Sequence, residues 1–168
     1  MQLIKCTQKL LKELQQKPTC DVAQQSILGS WHANIFHIER RKCVLVTNDL
    51  TLYAMFIPYL TKPDFKAFHI VFGHNLFKNL LYENLQQKEI EIALEECREI
   101  QYAKTDSRSV LGSMNDQKFQ LEYRIQAEGG LGNTDLYELN SRLNHSLFSA
   151  INYRHPVELL KEKLQQNA

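Results

Sequence analysis

Apolar residues recur along this chain with two different spacings, and the spacing changes where the structure should change. Near the N-terminus Leu10, Leu11 and Leu14 have helical spacing, with Thr7 placed to cap the first turn and Pro18 placed to end the helix. Leu3 to Cys6, just ahead, reads as a short strand. From Ser30 to Ile57 the residues become β-branched and aromatic, in the runs SWHANIFHI, KCVLVTN and LTLYAMFIP, separated by the polar turns ERRK and ND. This predicts a three-stranded antiparallel meander. Several of these runs are apolar at both odd and even positions, so both faces of the sheet require cover, and helices must supply it.

The helical period returns after Pro63. The stretch DFKAFHIVFGHNLFKNLLYENL fits a helix with proline in its first turn and Gly73 as its candidate break point. A second helix, KEIEIALEEC, leads into a short strand, REIQYA. A long helix then runs from about Ser107 to Ala127 and stops at EGGLGN, followed by helices over Asp135 to Asn144 and Pro156 to Gln165. The fold class is α+β, an antiparallel β-meander sheet covered by helices. Without a repeat, a low-complexity stretch or a linker, residues 1–168 read as one domain.

Composition narrows this picture. A compact domain of 168 residues buries about 70% of the surface its unfolded chain exposes. Hydrophobic residues at 43% and charged residues at 23% argue against a disordered or fibrous chain. A formal net charge of +1 disfavours duplex nucleic acid as a partner but leaves room for a local basic patch. Cys6, Cys20, Cys43 and Cys97 form no C-x-x-C pair, and His69 and His74 do not share a helix face, so neither a metal site nor a cofactor is expected. The N-terminal MQLIKCTQKLLKELQQ lacks a continuous apolar core, so it is not read as a signal peptide, and no segment reaches membrane-spanning length. The expected compartment is the cytoplasm.

Two segments carry candidate chemistry. In KTDSRSVLGSMND, Lys104 to Asp116, a strand feeds into the long helix. Helical geometry places Val110, Leu111, Met114, Leu121 and Ile125 in one core-facing arc. The opposite arc holds Arg108, Gly112, Asn115, Asp116, Phe119 and Tyr123, an unusual mixture for a solvated face. Gly112 costs the helix about 1 kcal/mol relative to alanine, which points to close packing or to a ligand. Thr105, Ser107 and Ser109, with Lys104 and Arg108 beside them, read either as simple caps or as an anion site at a helix N-terminus.

The second segment, WHANIFHIERRKCVLVTND, has its turn at about Arg40 and Arg41. A loop centred there pairs Asn34 with Thr47 and His32 with Asp49. His32 oriented by Asp49 is either a general base or acid, or an ordinary cross-strand pair without a nucleophile. Arg40, Arg41 and Lys42 form the densest basic run, suited to phosphates or carboxylates on a partner or to a solvated turn. Trp31 is assigned to the core.

These segments, with the opening IKCTQKLLKEL and the closing GGL, DLYELNSRLN and YRHPVELL, resemble an uncharacterised bacterial domain family, a domain of unknown function. The resemblance spans nearly the whole chain and implies a shared fold and a shared surface, with no activity, cofactor or catalytic residue attached. His145 and Ser146 depart from the family pattern, which touches the terminal turn alone. The leading functional expectation is a binding module for an anionic ligand, either a phosphorylated small molecule or single-stranded nucleic acid. Its rivals are a hydrolase using His32 and Asp49, with Asn34, Arg108 or Asn115 as stabilising donors, and a regulatory domain that binds a protein partner.

Overall fold

The first strand, β1 (Gln2–Cys6), runs directly into a short helix, α1 (Gln8–Leu14), that buries Leu10, Leu11 and Leu14. The helix closes at Gln15, whose backbone is left-handed, ahead of Pro18. A strand–helix–strand crossover returns the chain to the end where it began, so β2 (Trp31–Ile38) lies parallel to β1, with Ile4 opposite Trp31 and Cys6 opposite Ala33. β3 (Arg41–Asn48) and β4 (Ala54–Ile57) then continue as the expected antiparallel meander. After α2 (Lys62–Lys66), α3 (Phe68–Tyr82) and α4 (Gln87–Glu96), β5 (Ile100–Lys104) joins the far side of β1, again parallel. The computed structural model describes residues 1–20 and 26–168, and among them the strand order is β4-β3-β2-β1-β5.

The sheet is therefore mixed, which corrects the expectation of an antiparallel meander. The meander is its middle and one edge. The other two strands add in parallel because helices, not turns, precede β2 and β5, and a helical crossover brings the next strand in with the same direction.

Both faces are covered, as the two-sided apolar runs require. On one face Ile4, Trp31, Val44, Val46 and Met55 pack with α1, α3, α4 and the last helix, α7 (Pro156–Gln165). Trp31 is fully buried and meets Phe72 edge-on, with ring centroids 5.3 Å apart. On the other face Phe36, Leu45 and Phe56 lie under α5 (Arg108–Ala127) and α6 (Leu136–Asn144). α5 buries Val110, Met114, Leu121 and Ile125, the arc its periodicity marks. Gln117, also buried, ties it down: its side chain accepts from the Thr47 hydroxyl at 2.7 Å and donates to the Leu52 carbonyl at 2.9 Å.

Two local expectations change. The helix from Pro63 does not break at Gly73, through which α3 runs continuously; it is interrupted earlier, at Ala67, which closes α2 and opens α3. Gly112 has neither a packed neighbour nor a close backbone: a Cβ there would meet nothing within 4 Å. With no steric role to lose, Gly112→Ala is expected to raise stability by up to about 1 kcal/mol in urea unfolding. A loss would show that the position needs glycine.

The free edge of β4 is closed by α6. Asn144 accepts from the Ala54 amide at 2.7 Å and donates to the Ala54 carbonyl at 2.8 Å. One turn earlier, Asn140 accepts from the Phe56 amide at 2.7 Å and donates to its carbonyl at 3.4 Å. Two carboxamides spaced four residues apart thus replace a neighbouring strand, which removes the aggregation hazard of an open edge.

Candidate functional site

The hairpin sets the register of the site. It turns at Glu39 and Arg40, both left-handed with φ of 50° and 63°, so that Ile38 faces Arg41, His32 faces Thr47 and Asn34 faces Leu45. The turn expected at Arg40 and Arg41 is one residue late, and the pairings of His32 with Asp49 and Asn34 with Thr47 are displaced by two positions. In the turn, the Glu39 carboxylate accepts the Leu131 amide at 3.2 Å, a contact made beyond the C-terminus of α5 that no local rule in the hairpin includes. A slip of two keeps each side chain on its face. His32 and Asp49 still meet, diagonally, and Nδ1 of His32 lies 2.6 Å from Asp49.

Around that pair four further groups converge. Asp49 accepts from the Ser30 hydroxyl at 2.6 Å and from the Lys5 ammonium at 3.3 Å. Lys5 also pairs with Asp106 at 2.9 Å. Nε2 of His32 has the amide and a carboxylate oxygen of Asp106 each at 3.4 Å. The tautomer protonated on Nδ1 fits the contacts to Asp49 and to the Asp106 amide, with Nδ1–H donating to Asp49 and Nε2 accepting from that amide. Burial pushes the Asp49 carboxyl up, but hydrogen bonds from His32 and Ser30, with the nearby Lys5 ammonium, outweigh it and hold the pKa below the ordinary value. Burial likewise opposes the Lys5 ammonium, and the bond to Asp106 and the charges of both carboxylates raise its pKa regardless.

His32, Asp49 and Asp106 also bring three ligand-type atoms within 4.8 Å of one another, a convergence that spacing along the chain does not disclose. The Lys5 ammonium already bridges both carboxylates, and Asp49 holds Nδ1. A cation position is thus occupied by a side chain of the protein itself.

The remaining candidates separate into two groups. Ser107 caps α5, its hydroxyl accepting the Val110 amide at 3.2 Å, which is one of the two roles its position offers. Lys104, Arg108, Ser109 and Asn115 are exposed at or near this end of α5. Arg40 and Arg41 are exposed at the hairpin tip, which packs at the opposite end of α5 through Glu39 and Leu131. A helix of 20 residues is about 30 Å long, so the structure does not bring Arg40 and Arg41 together with Arg108. The outward arc of α5 is bare: Phe119 and Tyr123 are 73% and 68% exposed.

Asn34 lies elsewhere again, in a groove of about 810 Å³ between α1 and α5, over the part of β2 beyond the end of β1. Its carbonyl accepts from the Thr7 hydroxyl at 3.0 Å, so Thr7 serves the groove and its side chain does not cap α1. Lys9 and Lys12 line one wall and Lys118 the other, 5.0 Å over the ring of Phe36. Glu13, the acidic residue of the lining, is paired with Lys42 at 2.8 Å. Sequence reasoning missed Lys5, Asp106 and the three lysines. Lysines on the polar faces of two helices far apart in the chain, Lys9 and Lys12 on α1 and Lys118 on α5, carry no local signal of this kind.

Among the described residues, no helix is long and apolar enough to cross a membrane. No curated protein and no solved structure matches this chain. Residues 3–159 match the family described as Domain of unknown function (DUF6933), and the chain belongs to that family.

Proposed function

We propose that this domain is a binding module for an anionic partner, held in the groove between α1 and α5. The observation that carries this is the groove's one-sided chemistry: ammonium groups of Lys9, Lys12 and Lys118, with the Asn34 amide available as a donor and the Glu13 carboxylate neutralised by Lys42. Such a surface attracts negative charge and offers little to a cation. Arg40 and Arg41 follow His37 along the hairpin and extend the positive charge past the groove's end. The general-base reading of His32 gains less support, because the ring is fully buried and both nitrogens face Asp49 and Asp106.

The test is fluorescence anisotropy with a labelled decaglutamate. The double variant Lys12→Glu, Lys118→Glu is expected to weaken binding tenfold or more, about 1.4 kcal/mol, and the wild-type affinity should fall steeply with salt. Unchanged affinity in the double variant would place the anion site elsewhere.

A further inference from the structure

We infer that the partner is an extended acidic segment of another protein, which adds to the sheet as a strand along the open edge of β2. This rests on the groove being the anion site. The direction of each backbone group along β2 follows from two contacts. The Asp49 amide donates to the Ser30 carbonyl at 2.9 Å, and the hairpin closes with Ile38 opposite Arg41. The even-numbered residues of β2 therefore bond to β3, and the odd-numbered ones point toward β1.

On the β1 side the last rung is the Thr7 amide donating to the Ala33 carbonyl at 3.1 Å. Past it the chain turns away into α1, while β2 runs on to Ile38. The N–H and C=O groups of Ile35 and His37 then point into the groove, and no hydrogen bond to them is found among the described residues. The contrast with β4 is direct, since there α6 spends Asn140 and Asn144 on closing the edge. α1 packs on one face of the sheet and α5 on the other. An added strand would lie between them in the sheet plane, as β1 does farther along, and would gain main-chain bonds at Ile35 and His37.

Charge selects the occupant. A second copy of this chain paired edge to edge would bring the same lysines against one another. A nucleic-acid strand needs aromatic faces for its bases, and the groove's Phe36 is buried beneath Lys118. An acidic strand meets Lys9, Lys12 and Lys118 and satisfies the backbone as well.

The experiment uses the full chain and a labelled ten-residue peptide alternating glutamate with valine. Binding is followed by anisotropy, and amide hydrogen exchange of Ile35 and His37 by NMR. The peptide is expected to bind and to slow exchange at both amides at least tenfold. N-methylation of its alternate residues should weaken binding at least tenfold, and inorganic triphosphate should leave exchange at Ile35 and His37 unchanged.

If the N-methylated peptide binds as well as the parent and the two amides stay unprotected, strand addition is wrong while the anionic groove stands. If no acidic peptide, no oligothymidylate and no triphosphate binds, the groove reading falls with it. Equal binding by a glutamine–valine peptide overturns the acidic partner, tighter binding of oligothymidylate overturns a peptide, and protection that rises with protein concentration alone identifies a second copy instead.

Discussion

Replacing Asn144 with alanine is expected to destabilise the protein by about 2 to 6 kcal/mol. The carboxamide is fully buried and satisfies both the amide and the carbonyl of Ala54. Its loss leaves two buried backbone groups without partners, each costing about 1 to 3 kcal/mol. Urea unfolding of Asn144→Ala measures the total. Asn144→Asp should fall between the two, because it keeps an acceptor for the amide and loses the donor to the carbonyl. Asn140→Ala should cost less than Asn144→Ala, since its bond to the Phe56 carbonyl is long at 3.4 Å. A loss below about 1 kcal/mol for Asn144→Ala, within the ordinary range for single changes, would mean that another group closes the β4 edge.

Asp49→Ala is expected to cost a similar amount, about 3 to 5 kcal/mol, the range for removing one partner of a buried charged pair. It strands the fully buried His32 ring, the Ser30 hydroxyl and one side of the Lys5 ammonium. The pH dependence gives a second, independent reading. The folded-state pKa of Asp49 lies below its usual value, so its contribution is complete above the unfolded value of about 3.9 and is lost as pH falls through the folded one. Wild-type stability should therefore drop on acidification below about pH 4, and Asp49→Asn should flatten that drop while lowering stability at neutral pH. Lys5 acts at the other end: its folded pKa is raised, so its contribution is present below about pH 10.4 and is lost as pH rises through the folded value. An acid limb identical in Asp49→Asn and wild type would assign the acid sensitivity to another carboxylate.

Much of the local structure was legible in the sequence for a common reason. Helical and strand periods, and the residues that start and stop helices, act over one or two turns. The meander from Trp31, the buried stripe of Val110, Met114, Leu121 and Ile125, the cap at Ser107 and the helix from Pro156 to Gln165 all follow from such short-range rules. The meeting of His32 with Asp49 was legible too, since hairpin pairing preserves which face a side chain takes even when the register slips by two.

What only the tertiary structure decided depends on contacts between residues far apart along the chain. Glu39, in the turn, bonds to Leu131, 92 residues away, and helical crossovers set β1 and β5 parallel. Asp106 and Lys5 closed the network around His32, and Asn140 and Asn144 took the place of a strand beside β4. The open edge at Ile35 and His37 belongs to the same class, because it exists where β1 ends before β2 does, and neither strand's own residues state the length of its neighbour.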